Sequence, residues 1–497
     1  MKRRTDLYDL IRAMSKSEKR YFTIDAQKSG RRDSRYLELF QVINDTEGEV
    51  DEKKLRKQFG KNLSVDKNYL YEAILRSMRD YRSTNSLAVQ IREMILDAKY
   101  LYERNLYDQC EQRLSHARKL ATDLDDHIIM LEILKEEQWL ISDKRAASYD
   151  TSIRQLSEDT DLVMKRIFVE MELLQIYVNL LDMVFKKFSL NSEEDIKNTK
   201  SRFGPSLEGF QPTEISPTSQ RRLYQCRALF NLLLGNFNEV FLNYEKVIDW
   251  WDKHPLIKEE EFHKYIVDIS NYLNGYLAKG QYQYIPKLLK SLENSKPKNL
   301  HDKSLVFQKI SANRLVYYIN SGENEGIDDF LDSIEKGLST YYLNQRSQLV
   351  LLMNSAILLF IQEDFEGCRK WCKMIFAKKK VASRLDIQWA ARLLFLISEY
   401  EIDDLDEVEK TLRSVTRYFR VKEPLPDKRA FEDLILTTIQ KLLFAPESEK
   451  KSIFQQFVIE LKAFGGENRP PLGMNELFMV WTQGKLAKKR MAQLLNQ

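Results

Sequence analysis

The 497-residue chain has little of what interrupts helices, with only 16 glycines and 11 prolines. Because these two residues dominate tight turns, their scarcity leaves little material for the hairpins of a sheet protein. Leucine, lysine, glutamate and arginine are abundant, and all four favour helix. The composition therefore predicts an all-α protein.

Long apolar runs are scarce too. The most apolar window, residues 349–361, covers about 13 residues and contains Asn354 and Ser355, whereas a helix needs about 20 to cross a bilayer. No apolar stretch of the kind found in secretory signals follows the basic first residues. The four cysteines lack the spacing of a disulfide framework, which is typical of a reducing compartment. We expect a cytoplasmic protein that does not bind membranes.

The sequence also lacks motifs that are typical of a particular enzymatic reaction. It has no phosphate loop of the GxxxxGKS type, no GxGxxG turn and no HExxH zinc motif, and its five histidines are scattered. Cys368 and Cys372 lie four residues apart, but no second pair of ligands accompanies them, so core packing explains them better than zinc. We expect no enzyme activity, metal or cofactor. An active site built from distant helices is the alternative that these residues leave open.

The net charge of +4 is unevenly spread. Residues 1–84 hold 20 Lys and Arg against 14 Asp and Glu, whereas acidic residues slightly outnumber basic ones in the rest of the chain. An anionic partner would therefore be attracted mainly to the first segment. Acidic clusters at residues 259–261 and 403–406 are expected to be solvated helix faces and caps.

A small or β-branched residue inside a helix-forming stretch returns roughly every 43 residues along the chain. The nine positions are Cys110, Ile153, Ile196, Val240, Ile285, Gly326, Cys368, Val408 and Ile453. Such a period is typical of stacked helical hairpins, because one hairpin cannot bury its own apolar face and needs neighbours on both sides. The pattern predicts helical repeats over residues 85–464.

Several of these segments resemble the turn and second helix of tetratricopeptide repeats. Residues 101–118 place Tyr102 before a turn at Asn105, followed by small residues at Cys110 and Ala117. The same order recurs at residues 232–248, 276–292, 360–375 and 400–415. The resemblance implies a right-handed α-solenoid of helical hairpins. A tetratricopeptide repeat has about 34 residues, so units of about 43 require longer helices or loops.

Residues 1–84 do not share the period and are predicted to form a separate basic helical head. Helices are expected at residues 6–14 and 36–43, and another is expected to begin at a capping box formed by Ser15 and Glu18. The stretches SKSEKRYF and VDKNYLYEAILRSMRDY resemble the opening of uncharacterised bacterial helical-repeat proteins. That resemblance implies this layout and no particular activity.

Two further boundaries are predicted. Residues 203–219 contain three prolines and two glycines and are expected to be the longest loop, which would break the repeats into two halves. The sequence GGENRPP then ends the repeats, and residues 465–497 are expected to cap them with a basic amphipathic helix at 486–495.

A protein-binding scaffold is the leading functional interpretation. If the tetratricopeptide resemblance carries over, first-helix side chains line a groove that receives a peptide or protein segment. The residues that this register places in the groove are Arg92, Lys99, Tyr102, Arg222, Gln225 and Asn274. The sequence leaves the oligomeric state open.

The alternative is a nucleic-acid-binding regulator. A helix at residues 51–59, a short turn and a second helix at 66–82 have roughly the lengths of a helix-turn-helix motif. Its candidate phosphate contacts are Lys67, Arg76, Arg79 and Arg82. Against this interpretation, Leu70, Ile74 and Met78 form an ordinary core stripe on the same helix, as expected of a segment that only packs on the first repeat.

Overall fold

The structure is a computed structural model. It describes residues 6–28, 35–46, 50–83, 86–144, 149–186, 190, 192–378, 384–402, 405–422, 430–464 and 470–495. Throughout this part of the chain the secondary structure is helical, with no strand, as the composition predicts. Among these helices, none combines the length and the apolar character that spanning a bilayer requires.

The helices follow one another with short connections. Those up to residue 260 are α1 (Asp6–Ala13), α2 (Lys16–Lys28), α3 (Arg35–Asn44), α4 (Glu52–Phe59), α5 (Leu63–Ser83), α6 (Leu87–Tyr102), α7 (Tyr107–Asp123), α8 (His127–Lys144), α9 (Tyr149–Lys186), α10 (Glu193–Gly209), α11 (Pro217–Leu233), α12 (Phe237–Lys253) and α13 (Pro255–Glu260). Those that follow are α14 (Phe262–Ala278), α15 (Ile285–Glu293), α16 (Leu300–Ser321), α17 (Ile327–Thr340), α18 (Gln345–Ile361), α19 (Phe365–Ala377), α20 (Leu385–Ile402), α21 (Leu405–Lys422), α22 (Ala430–Phe444), α23 (Glu447–Leu461), α24 (Met474–Ala487) and α25 (Met491–Leu495).

The chain folds into two compact units, each built from segments that are not continuous in sequence. Unit 1 consists of Met1–Asn179, Ser206–Cys226 and Asp249–Phe262. Unit 2 consists of Leu180–Pro205, Arg227–Ile248 and His263–Gln497. Each unit buries apolar clusters of its own.

The helices predicted for the head are confirmed. The capping box at the start of α2 is formed, because Ser15 N–H donates to Glu18 Oε2 at 2.7 Å and Glu18 N–H donates to Ser15 Oγ at 3.2 Å. Apolar residues of α1 to α5, among them Leu39, Leu70 and Ile74, form one cluster. In the apolar stripe of α5, Leu70 and Ile74 are therefore buried and Met78 is partly buried, as expected of a helix that packs.

Helices α6, α7 and α8 form a stack within unit 1, in which α6 packs on both α7 and α8. Ile91, Ile95 and Ala98 of α6 are buried with Cys110 and Leu114 of α7. Ala98 is the small residue expected in a first helix, and it is fully buried, as are the corresponding Ala228 and Ala356. Small side chains at these points let neighbouring helix backbones approach closely.

The expectation of a long loop at residues 203–219 is wrong. The predicted loop at residues 203–219 begins instead inside α10, where Phe203 and Leu207 lie one helical turn apart and are both buried. Burial of this pair outweighs the helix-breaking tendency of Pro205. Pro217 starts α11, a position where its missing N–H costs nothing, and Ser216 accepts a hydrogen bond from the N–H of Ser219 at 3.3 Å.

Eight of the nine repeat positions fall at or near helix starts, and the ninth, Ile453, lies in the middle part of α23. Five of them, Cys110, Ile196, Val240, Cys368 and Val408, are each the fourth residue of their helix. Gly326 departs from the expectation because it precedes α17 with a φ of +72°, a left-handed conformation that glycine adopts at low cost. It therefore ends the preceding turn and does not pack inside a helix.

The core of unit 2 is centred on α18. This helix contains the apolar window at residues 349–361, and its side chains are buried on all sides by α16, α17, α19 and α20. Cys368 and Cys372 of α19 belong to the same cluster and are fully buried, which confirms their predicted packing role. Burial raises the pKa of the Cys372 thiol well above its ordinary value.

The predicted single helix at residues 486–495 is also wrong. The chain leaves α24 at Lys488, which has a φ of +53°, and resumes as α25. The N–H of Lys489 donates to the carbonyl oxygen of Gly484 at 3.1 Å, which closes the turn after α24. Glycine at position 484 leaves room for this turn, because a Cβ there would lie only 3.0 Å from the carbonyl oxygen of Lys489. Trp481 anchors α24 to α20 by donating its indole N–H to Glu401 at 2.7 Å. Residues 465–469 lie outside the described residues.

Candidate functional site

The start of α6 is fixed by a carboxylate from α13. Glu260 accepts hydrogen bonds from Ser86 Oγ at 2.5 Å, Leu87 N at 2.9 Å and Ala88 N at 3.2 Å. The backbone N–H groups of a helix N-terminus have no partner in their own helix, and their partial positive charge favours an anion. This acidic cluster thus serves partly as a cap, as the sequence predicts, and it fixes the direction of α6.

Two side-chain bridges join α6 to α8. Lys99 lies 3.2 Å from Glu136, and the Tyr102 hydroxyl donates to Asp143. The hydrogen bond from Tyr102 and burial raise the pKa of this phenol to about 12. Since both bridges advance in the same order along the chain, α6 and α8 run in the same direction.

Large apolar side chains stand exposed beside these bridges. Leu96 and Tyr100 of α6 are 64% and 55% exposed, and Trp139 of α8 is 60% exposed. Arg92, Leu96 and Tyr100 follow at four-residue spacing and therefore share one helix face. Trp139 lies three residues after Glu136, which places it on the side of α8 that carries the bridges. We call Arg92, Leu96, Lys99, Tyr100, Tyr102, Glu136, Trp139 and Asp143 the α6–α8 surface.

The other predicted groove residues are placed differently. Arg222 of α11 donates to Gln225 Oε1 at 2.8 Å, and its guanidinium lies 4.4 Å from the centre of the Tyr177 ring. Gln225 is buried, with 4% of its surface exposed. Asn274 is exposed on α14 and belongs to unit 2. Of the predicted groove residues, Arg92, Lys99 and Tyr102 therefore lie together on α6. Gln225 is buried and does not face a groove.

The basic residues predicted to contact nucleic acid in the head differ in their exposure and ion pairing. Lys67 is paired with Glu52 at 2.6 Å and lies 4.7 Å from the centre of the Tyr8 ring. Arg76 and Arg79 are exposed on α5. The side chain of Arg82 lies outside the described residues.

Sequence reasoning did not identify a charged cluster around His127 in unit 1. His127 is 4% exposed, with Nε2 3.2 Å from Asp125 Oδ1 and Nδ1 3.5 Å from Glu170 Oε2. Thr218 N–H donates to the other Asp125 oxygen at 2.7 Å. Burial alone would lower the pKa of His127, but the two carboxylates outweigh it and raise the pKa to about 9.

Arg118 extends the charged cluster along α7. It lies 2.5 Å from Glu137 and also pairs with Asp159 of α9. Burial raises the pKa of Glu137, and the Arg118 charge opposes that shift. A cavity of about 180 Å³ opens between these groups; its lining includes Arg118, Asp125, His127, Asp159, Val163 and Arg166.

The chemistry of this cluster favours a structural role. A histidine with a pKa near 9 is protonated at neutral pH and cannot accept a proton as a general base. Its neighbours are paired with opposite charges, so they tie α7, α8 and α9 together. No regular spacing in the sequence predicts the cluster, because Asp125 and Thr218 are 93 residues apart.

Within the described residues, no three or more His, Cys, Asp and Glu side chains come together in a way that would hold a metal ion. Comparison of the chain with protein-family models, with curated proteins and with solved structures gave no match. The functional interpretation therefore depends on the surfaces of the molecule itself.

Proposed function

From the exposed residues alone, we propose that the chain is a non-enzymatic scaffold that binds a peptide or protein segment on the α6–α8 surface. The observation that supports this most directly is the exposure of Leu96, Tyr100 and Trp139 on two helices that pack against each other. Exposed aromatic residues with an adjacent arginine are the side chains that dominate binding energy in protein interfaces. Burying them against a partner removes apolar surface from water.

The bridges give the surface a way to orient its ligand. Lys99 and Tyr102 hold Glu136 and Asp143 in place, which fixes one positive and two negative groups beside the apolar residues. Such fixed charges select a partner with matching charges and penalise one without them.

The proposal includes a right-handed, tetratricopeptide-like solenoid with a period of about 43 residues. Two observations support it: α6 and α8 run in the same direction with α7 between them, and five repeat positions occupy the same place in their helices. A cytoplasmic location is also part of the proposal, and the four cysteines, which are buried and form no disulfide, agree with it.

The test uses affinity purification from the native cell, followed by peptides that tile the captured partner. Fluorescence anisotropy gives the Kd of the binding peptide. Replacing both Leu96→Ser and Trp139→Ser should raise that Kd at least about 30-fold, because truncating one central anchor costs about 2 kcal/mol. Thermal unfolding should not change, since both side chains are exposed.

Phe444→Ser is the matched control, because Phe444 is 72% exposed on α22 of unit 2. It should leave the Kd unchanged. Equal affinity of the double variant and the control would exclude the α6–α8 surface as the binding site.

Exposure of Arg76 and Arg79 favours one second candidate, nucleic-acid binding by the head. The full-length chain would then bind labelled duplex DNA or RNA with an affinity that falls steeply with salt, because neutralised phosphates release counterions. Replacing both arginines with glutamine should reduce that salt dependence. Absence of binding at low salt would eliminate this candidate.

A further inference from the structure

One face of α9 exposes large apolar side chains along a continuous 38-residue helix. Met164 is 40% exposed, Phe168 73% and Met171 44%. Val163 and Leu173, on the other side of the helix, are buried. As far as the described residues of unit 1 go, the Met164–Phe168–Met171 face is therefore largely uncovered, and contiguous exposed apolar groups of this kind mark interaction sites.

Two opposite charges flank this face. Lys165 and Glu172 are exposed, and among the residues that the structure describes neither has an ion-pair partner within 4.0 Å. They are seven residues apart, too far to pair with each other along the same helix. Asp161 stands four residues before Lys165, the spacing at which helical charges can pair, but the two charged groups do not come within 4.0 Å of each other.

We propose that this face binds the same face of a second copy of the chain, with the two α9 helices antiparallel and related by a two-fold axis at Phe168. Lys165 lies about 4.5 Å before Phe168 along the helix axis, and Glu172 lies about 6 Å after it. Because the second helix runs in the reverse direction, Lys165 comes level with the partner's Glu172 to within about 1.5 Å.

The rotation around the helix agrees with this register. At about 100° per residue, Lys165 and Glu172 both fall about 40–60° to one side of Phe168, and Met164 and Met171 fall by the same amount to the other side. The two-fold axis is perpendicular to the plane that contains both helix axes. It therefore brings the Lys165–Glu172 edge of one helix beside the same edge of the other, and likewise for the methionine edges. Two ion pairs therefore form along one edge, methionines pack along the other, and Phe168 packs on the partner's Phe168.

Charge complementarity is what selects a second copy as the occupant. An isologous interface requires every group on the surface to find its complement on the same surface, and this face meets that condition. A parallel arrangement, with the two-fold axis along the helices, would instead set the edge that carries Lys165 and Glu172 against the methionine edge of the partner and leave these charges unpaired. The inference does not rest on the proposed function, because it uses a different helix face.

Sedimentation velocity of the full-length chain from about 1 to about 200 µM tests the proposal over the affinity range of a weak to moderate dimer. The chain should shift from monomer to dimer as its concentration rises. Phe168→Asp should leave it monomeric throughout, whereas Phe444→Ser should dimerise like the unchanged chain. All of these side chains are exposed, and thermal unfolding checks that each variant is folded.

A charge exchange tests the register. Lys165→Glu alone and Glu172→Lys alone should each weaken the dimer at least about 10-fold, because each change sets like charges against one another. Combining the two substitutions in one chain should restore the dimer. Mixing the two single variants should give a heterodimer, since each then supplies the charges that the other needs.

Three results would overturn the proposal. The unchanged chain could stay monomeric up to the highest concentration. Phe168→Asp could dimerise as well as the unchanged chain, which would place any dimer contact elsewhere. The combined charge exchange could fail to restore a dimer that both single changes weaken, which would exclude the antiparallel register. Variants of Leu96 and Trp139 should not affect any of these measurements.

Discussion

The helix α18 in unit 2 and the α8–α9 region in unit 1 use apolar and charged residues in opposite ways. In α18 the apolar side chains, such as Leu352 and Phe360, are fully buried. In the α8–α9 region the buried positions include His127, whereas Trp139 and Phe168 are exposed. Apolar residues thus fill the core around α18, while in this part of unit 1 a charged cluster adds to the apolar packing of Leu134, Leu156 and Val163, and other apolar side chains face outward.

This contrast separates residues that stabilise the fold from residues that are available for binding. A fully apolar core gains free energy with each group that it removes from water. A buried charge cluster gains less, since desolvation of each ion offsets the attraction between them. The exposed aromatics of α8 and α9 give up stability that burial would have provided, as expected of surfaces kept for partners.

The largest expected effect comes from truncating a matched pair of phenylalanines. Phe360→Ala should destabilise the chain by about 3–5 kcal/mol, because it leaves a cavity in the core of unit 2. Phe168→Ala should change the free energy of unfolding by less than about 0.5 kcal/mol in dilute, monomeric protein, because that side chain is 73% exposed. Urea unfolding followed by circular dichroism measures both. Similar losses in the two variants would remove the distinction between the regions.

A smaller, pH-dependent effect is expected at His127. Its pKa of about 9 in the folded chain lies above the ordinary value of 6.5, so its stabilisation is complete below about pH 6.5 and is lost as the pH rises through 9. His127→Gln should therefore destabilise the chain by about 1–2 kcal/mol near pH 6, less than the full shift implies because Glu170 is partly solvated.

The loss caused by His127→Gln should nearly vanish at pH 10. Urea unfolding at both pH values provides the measurement. The exposed His116→Gln is the control, and it should show no such difference. If His127→Gln cost as much at pH 10 as at pH 6, its charge would not be the source of the stabilisation.

Local rules predicted the helices of the head because their signals are themselves local. The capping box at Ser15 and Glu18 needs only a spacing of three residues, and the structure forms it. The same kind of reasoning was wrong at residues 203–219, where burial of Phe203 and Leu207 decides the outcome. Burial depends on which helices meet in space, and turn propensity carries no information about that.

The candidate site was predictable only in part. The repeat register brought Lys99 and Tyr102 to the surface of α6, but it did not identify Leu96 or Trp139, since exposure of an apolar residue cannot be read from helical spacing. The unbroken α9 did have a signal, because residues 149–186 contain no glycine or proline. His127 had none, as its partner Asp125 is held by a residue far along the chain.

The smallest expected effect concerns the cap of α6, which orients the helix that carries half of the α6–α8 surface. Glu260→Gln should destabilise the chain by about 0.5–1 kcal/mol, because the amide keeps the size of the carboxylate but loses the charge that favours a helix N-terminus and one of the two oxygens that accept hydrogen bonds there. The control is Glu93→Gln, the same change on an exposed position farther along α6. Since screening weakens charge–dipole attraction, the difference between the two variants in urea unfolding should shrink at high salt. A difference that is independent of salt would assign the effect of Glu260 to its hydrogen bonds alone.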